Sequence, residues 1–159
     1  MRRYALGLLA LLVAVATAGY FYAGRTLNPG PTPLPKRTVK IESRGRSLEL
    51  PVGLVLTPQQ WYVSHRNDLL RVEGLFHQFP EVRDTTWSTA GFRYAVSVAF
   101  LDGNGNILKI IDMEPCPGSR PSACPAYAPD VAYRMALEVR RGWFAEHKIG
   151  VGDTVTLQR

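Results

Sequence analysis

Between Thr38 and Leu157 apolar and polar residues exchange places at every second position over several stretches, a period that fits strands and not helices. Val39 and Ile41 alternate with charged neighbours, Ser43-Arg44-Gly45-Arg46 has the composition of a turn, and Leu48, Leu50 and Val52 resume the alternation, which predicts a hairpin. Tyr94, Val96, Val98 and Phe100 predict a strand of a second hairpin. Its turn is Asp102-Gly103-Asn104-Gly105-Asn106, rich in residues that accept positive φ, and Ile107 to Ile111 is its return. Gly74 to Pro80 reads as another strand. Tyr133, Met135, Leu137 and Val139 set one face of a further one, with Arg134, Glu138 and Arg140 on the other. Helices are minor. Thr57-Pro58 is an N-cap followed by proline, predicting a helix through Trp61 to about Arg66. Trp143 to His147 predicts a second, short one. Gly150-Val151-Gly152-Asp153 is a turn before a last strand with Val155 and Leu157. Short strands separated by turn signals predict a mostly-β sandwich or barrel with one or two short helices.

The amino terminus follows a different rule. Tyr4 to Ala23 contains no charged residue, and roughly 20 apolar residues suffice to cross a bilayer core as a helix. Arg2 and Arg3 precede the run and only Arg25 follows closely, which orients its start towards the cytoplasm. Ala16-Thr17-Ala18 has the small-x-small pattern of a signal cleavage site. The run nevertheless continues through Gly19-Tyr20-Phe21-Tyr22-Ala23, whose aromatics resemble an interfacial belt and favour an uncleaved anchor. Either outcome predicts that the remainder lies outside the cytoplasm, secreted or periplasmic if cleavage occurs near Ala18. Residues 1–24 are thus expected to be a signal anchor or signal peptide. Residues 25–37, with prolines at 29, 31, 33 and 35, are expected to be a stiff linker. Residues 38–159 are expected to be one β-rich domain.

Two cysteines, Cys116 and Cys124, lie eight positions apart in a Pro-rich segment. In an oxidising compartment such a pair predicts one disulfide, worth roughly 2–3 kcal/mol in the chain-entropy picture. A redox pair would be spaced C-x-x-C, and a zinc site would need more nitrogen or sulfur ligands nearby. The formal net charge is +6; without Arg2 and Arg3 it is +4, from 17 basic and 13 acidic residues. Arg134, Arg140 and Arg141 come nearest to a basic cluster. An anionic envelope partner fits that excess, whereas nucleic acid is disfavoured by compartment.

The chemistry-bearing residues form no reactive signature. Asp102-Gly103-Asn104-Gly105-Asn106 begins like an EF-hand loop, but Ile107 stands where glycine is required and Met113 where a bidentate glutamate is required. His65, His77 and His147 are isolated from one another, so neither metal nor cofactor is expected. Asp102, Asp112 and Glu114 fall on one hairpin and are the candidate paired carboxylates of a polymer hydrolase. Trp87 and Trp143 are candidate platforms for stacking on sugars.

Several blocks together resemble a known family. They are Gly74-Leu75-Phe76 with Phe79-Pro80, Val98-Ala99-Phe100-Leu101-Asp102 with Gly105, Met113-x-Pro115-Cys116, and Cys124-Pro125-x-Tyr127. The carboxyl-terminal block is the most specific: Ala136-Leu137-Glu138-Val139, Gly142-Trp143-Phe144, His147 and Val151-Gly152-Asp153-x-Val155. In order and spacing these resemble the bacterial and archaeal family known as domain of unknown function 192. The resemblance implies a jelly-roll-like sandwich with minor helices and implies no activity. Three stretches depart from the family pattern. Trp87-Ser88-Thr89-Ala90-Gly91-Phe92 stands where members often carry Trp-Met-Lys-Asn-Thr, Ser97 where they carry aspartate, and Tyr62-Val63-Ser64 where they carry Gly-Leu-Met.

These readings converge on an expectation: a non-catalytic domain, tethered to the membrane through residues 4–23, that binds an envelope glycan or an envelope protein. A hydrolase using the Asp102–Glu114 hairpin and a structural partner for another membrane protein are the alternatives.

Overall fold

The computed structural model of the protein describes residues 34–57, 60, 72–118 and 120–158. The apolar run 4–23 and the helix expected over Trp61 to Arg66 lie outside them. Among the described residues no helix is long and apolar enough to cross a membrane.

Among the described residues nine strands follow one another: β1 (Lys36–Ser43), β2 (Arg46–Val55), β3 (Gly74–Arg83), β4 (Trp87–Ser88), β5 (Val96–Leu101), β6 (Ile107–Met113), β7 (Ala126–Tyr127), β8 (Tyr133–Arg140) and β9 (Thr154–Leu157). A short helix, α1 (Trp143–Glu146), and a 3-10 turn at Pro121–Ala123 also lie among the described residues. Seven strands share one sheet in the order β6-β5-β8-β3-β2-β1-β9, and β4 pairs with β7 as a separate ribbon. The mostly-β expectation holds. The seven main strands are continuous in one sheet, and that sheet is not closed into a barrel. The first strand also begins at Lys36, so the residues just after Pro35 belong to the sheet and not to a linker.

Local chemistry explains the connections. Arg44 and Gly45 both hold positive φ, 48° and 77°, and Ser43 faces Arg46, as a two-residue hairpin turn requires. β2 and β3 run parallel, so the chain must cross from one end of the sheet to the other between Val55 and Gly74. That crossing starts with a capping box: the Gln60 backbone N–H donates to Thr57 Oγ1 (3.2 Å), while Gln60 Oε1 accepts from the backbone N–H of Thr57 (3.1 Å) and Leu56 (2.8 Å). The N-cap assignment of Thr57 is therefore correct.

The sheet buries both faces. On one, Val39, Ile41, Leu50, Val52, Phe76, Leu137 and Val155 pack with Trp143 and Phe144 of α1. On the other, Val96, Val98, Phe100 and Ala136 pack with Trp87, Phe92 and Tyr133. β5 is consequently buried at all six positions, which is why its sequence is apolar or small throughout. Glu138 breaks the expected pattern of β8. It was expected to share a charged face with Arg134 and Arg140, yet it is fully buried.

The two ends of the sheet are joined at the β5–β6 turn. Asn106 bridges Thr154, the Val155 N–H donates to Gly105 O (2.8 Å), the Ile107 N–H to Asp153 O (2.9 Å), and the Gly152 N–H to Ile107 O (2.9 Å). Gly105 has φ +90°, and a Cβ there would lie 2.3 Å from Val155 O. Two independent reasons thus demand glycine: the left-handed backbone and the passage of β9. Gly105→Ala is expected to destabilise the domain by more than about 2 kcal/mol, since both the turn and the contact with β9 must shift. Urea denaturation of the variant against wild type measures this, and a loss below about 0.5 kcal/mol would show that the junction yields easily.

Candidate functional site

Pairing between β3 and β8 lapses after Gln78 and resumes only at Arg83, opposite Tyr133. Irregular pairing of this kind bends a strand and re-aims its side chains. Here it opens a cavity of about 330 Å³ between the end of β2, the outer half of β3 and the start of β8. Val55, Leu56 and Thr57 come from the first, His77 to Pro80 and Arg83 from the second, and Tyr133 from the third. Thr85, Thr86 and Trp87 close it from the loop leading into β4.

Aromatic contacts fix its walls. Tyr133 meets Phe79 edge-on at 5.8 Å and Phe100 at 4.9 Å between ring centroids, and Trp87 meets Phe100 at 5.4 Å. Such edge-to-face pairs add to the value of the area they bury. The Tyr133 hydroxyl is a hub: it accepts from Trp87 Nε1 (2.9 Å), donates to Thr85 O (3.1 Å) and lies 3.1 Å from Thr85 Oγ1. One donor and two acceptor lone pairs are all that a phenol has, so its capacity is used.

His77 is a fully buried residue of the lining, and it meets Glu138 of the neighbouring strand, also fully buried, with His77 Nε2 3.3 Å from Glu138 Oε2. A carboxyl group removed from water needs polar partners, and His77 supplies one. Trp87 stands edge-on to the imidazole at 5.1 Å and Phe79 stacks against it at 6.3 Å. At the mouth, the Arg83 guanidinium carbon lies over the Phe79 ring, 4.6 Å from its centroid, a cation–π contact that holds a mobile side chain in place.

The residues singled out from sequence are not gathered here, with one exception. Trp87 lines the cavity, but it is only 6 % exposed and its indole N–H is engaged, so it is a wall and not a free stacking surface. Trp143 is 5 % exposed, stacked on His147 at 4.1 Å and edge-on to Phe144 at 5.5 Å, in the core of the opposite face. Neither candidate platform presents a free ring, and for Trp143 the structure shows the core packing of a short helix that its place beside Phe144 favours.

The three carboxylates are spent on local structure. Asp102 Oδ1 accepts from the N–H of Asn104 (2.8 Å) and Asn106 (2.9 Å), and Oδ2 accepts from Asn106 Nδ2 (2.7 Å). It is the side chain that shapes the β5–β6 turn. Asp112 accepts from Ser97 Oγ (2.5 Å) and faces Arg141 Nε at 3.7 Å; Glu114 accepts from Arg141 Nη1. Ser97, where the family pattern has aspartate, also accepts from the Gly142 N–H (2.9 Å) and so ties β5 to the turn before α1. Among the described residues no group of three or more His, Cys, Asp or Glu side chains is placed to hold a metal ion.

Cys116 and Cys124 form a disulfide with Cα atoms 5.8 Å apart. It encloses the segment leading to β7, and β7 pairs with β4 by setting Tyr127 opposite Trp87. The Gly91 N–H further donates to Cys116 O (2.8 Å) and Gly118 O (2.9 Å).

Sequence reading missed Phe79, Arg83, Tyr133 and the His77–Glu138 pair. Phe79 and Arg83 sit four apart on a strand and so share a face, a signal visible in the sequence. Nothing local announces that Tyr133 meets Trp87 across the sheet.

Comparison with known proteins gives a family and a fold. The family model for domain of unknown function 192, described as Uncharacterized ACR, COG1430, matches residues 39–157. No curated protein matches the sequence. A crystal structure of a Sinorhizobium meliloti protein, provisionally assigned as a transcription regulator, is similar with a TM-score of 0.69 at 19 % identity, over 80 % of this chain and 98 % of that one. A Novosphingobium aromaticivorans protein of unknown function is similar with a TM-score of 0.63 at 14 % identity, over 77 % and 86 %. At such identities the likeness is one of fold.

Tyr133→Phe is expected to cost about 1–3 kcal/mol, because it strips the buried Trp87 N–H and the Thr85 groups of their shared partner; chemical denaturation checks it. The hydrogen bonds of Asp102, that from the Asn106 side chain first, hold its carboxyl below its usual value of 3.8. A depressed folded pKa stabilises the protein above the unfolded pKa, and that contribution is lost as pH falls through the folded one. The stability gap between wild type and Asp102→Ala is therefore expected to be full at neutral pH and to narrow below about pH 3.8. Urea midpoints across the acid range read this directly, and a gap independent of pH would contradict it.

Proposed function

The chain belongs to the domain of unknown function 192 family, and from that premise we propose that it is a non-catalytic binding domain, tethered outside the cytoplasm, which holds an envelope glycan in the cavity beside Trp87. The single observation that carries this reading is the makeup of that cavity. Aromatic walls from Phe79, Trp87 and Tyr133 alternate with the polar side chains of Thr57, Gln78, Thr85 and Thr86. A mostly apolar concavity with a few placed polar groups is the usual form of a small-ligand site, and this one lies at the lower end of the common range of about 300–1,000 Å³. That size suits a chain end or one or two sugar rings.

The tether is residues 4–23 and the spacer the proline-rich segment that follows. The Cys116–Cys124 bond supports an oxidising compartment. On the family resemblance, we read the continuous sheet and its ribbon as a jelly-roll-like arrangement. The hydrolase alternative gains nothing from the carboxylates: Asp102 serves a turn, and Asp112 and Glu114 share Arg141. The assembly alternative would draw on Leu56, Val82, Tyr94 and Val151, the exposed large apolar side chains among the described residues, which come from four separate segments.

Full-length protein is expected to fractionate with membranes, with Cys116 and Cys124 resistant to alkylation until reduced. It should co-sediment with insoluble peptidoglycan or with extracted envelope polysaccharide. Thr86→Arg, a change at an exposed lining residue, fills the cavity and should reduce that retention about tenfold or more without lowering the melting temperature. Failure of the wild-type protein to retain either polymer would remove the glycan reading.

A further inference from the structure

We propose that the cavity selects a sugar bearing a carboxylate, with Arg83 as the residue that pairs with the acid. The inference rests on the glycan reading above and adds the charge of the ligand to it.

Arg83 ends β3 at the mouth of the cavity, where it is exposed. Its guanidinium is held over Phe79, so it is positioned before any ligand arrives. Preorganisation of this kind lowers the entropy lost when an ion pair forms. Arg140 and Arg141 are used otherwise: Arg140 pairs with Glu146, and Arg141 with Asp112 and Glu114. Among the described residues no carboxylate lies within ion-pair distance of Arg83. Glu81 and Asp84 flank it in sequence but do not line the cavity. A second positive charge lies nearby, since Arg134 Nη2 donates to the carbonyl of Pro80 (3.0 Å), itself a lining residue.

The anionic group of a ligand is therefore expected at the mouth and not beside His77. His77, a buried lining residue, already faces Glu138. A planar carboxylate matches the fork of a guanidinium in two parallel hydrogen bonds, which a neutral hydroxymethyl group cannot reproduce. The rest of the lining argues for a sugar body over a purely apolar acid. Gln78 and Thr86 offer amide and hydroxyl partners beside the rings, which a hydrocarbon acid could not use.

The test compares a disaccharide ending in glucuronic acid with its glucose-ending counterpart, titrated calorimetrically into full-length protein at low and at high salt. The acidic sugar is expected to bind about tenfold more tightly, with the preference shrinking as salt rises. Arg83→Gln should bring the two affinities together by weakening the acidic sugar's binding more than the neutral sugar's. Arg83→Lys should restore part of the preference. Equal binding of the two sugars by wild type, or a preference that survives Arg83→Gln, would overturn the role of Arg83 while the glycan reading stands. Binding of neither sugar would overturn both.

Discussion

The passage of β9 against the turn between β5 and β6 is the constraint on which the domain depends. A seven-stranded sheet left flat would present two edges with unpaired backbone groups and would cover neither face. Here the first and last strands of the order, β6 and β9, are brought together by backbone hydrogen bonds from Gly105 and Ile107. Gly105 has no side chain to keep Val155 at a distance, and Asp102 holds the turn in the shape that offers its carbonyl. Once the ends meet, the side chains of β1, β2 and β9 share one interior with those of β3, β8 and α1. The opposite face is then free to carry the aromatic group around Tyr133.

Most of the strands were legible because alternation and turn chemistry are local. The hairpin at Arg44–Gly45, the one at Asp102–Asn106, the strand over Tyr133–Arg140 and the capping signal at Thr57 each follow from residues within a few positions of one another. What was not legible depends on which strands become neighbours. Glu138 has the alternation of a solvent-facing charge, yet β8 lies in the middle of the sheet, between β5 and β3, where both faces are covered. The parallel pairing of β2 with β3 is set by a crossover whose course no short-range signal describes. The two-residue strands β4 and β7 are too short to have a period at all.

The candidate site divides along the same line. Acidic side chains draw attention in a sequence because they are the currency of hydrolysis, but Asp102, Asp112 and Glu114 are accounted for by a turn and by Arg141. The cavity is instead made by the lapse in pairing after Gln78, and its walls come from residues distant in sequence. Trp87 and Tyr133 meet through one hydrogen bond across 46 positions. Ser97 illustrates how a departure from the family pattern can still be structural: its hydroxyl links β5, β6 and the turn before α1.

A pair of two-residue strands has too few hydrogen bonds to persist unaided. The ribbon that carries Trp87 owes its position to what surrounds it, and part of that surrounding is covalent: the sulfur bridge encloses the approach to Tyr127, which lies opposite the indole. One side of the cavity is in effect riveted, while the other is ordinary packed sheet. The placement of that aromatic wall therefore answers to the oxidation state of two sulfurs as well as to packing.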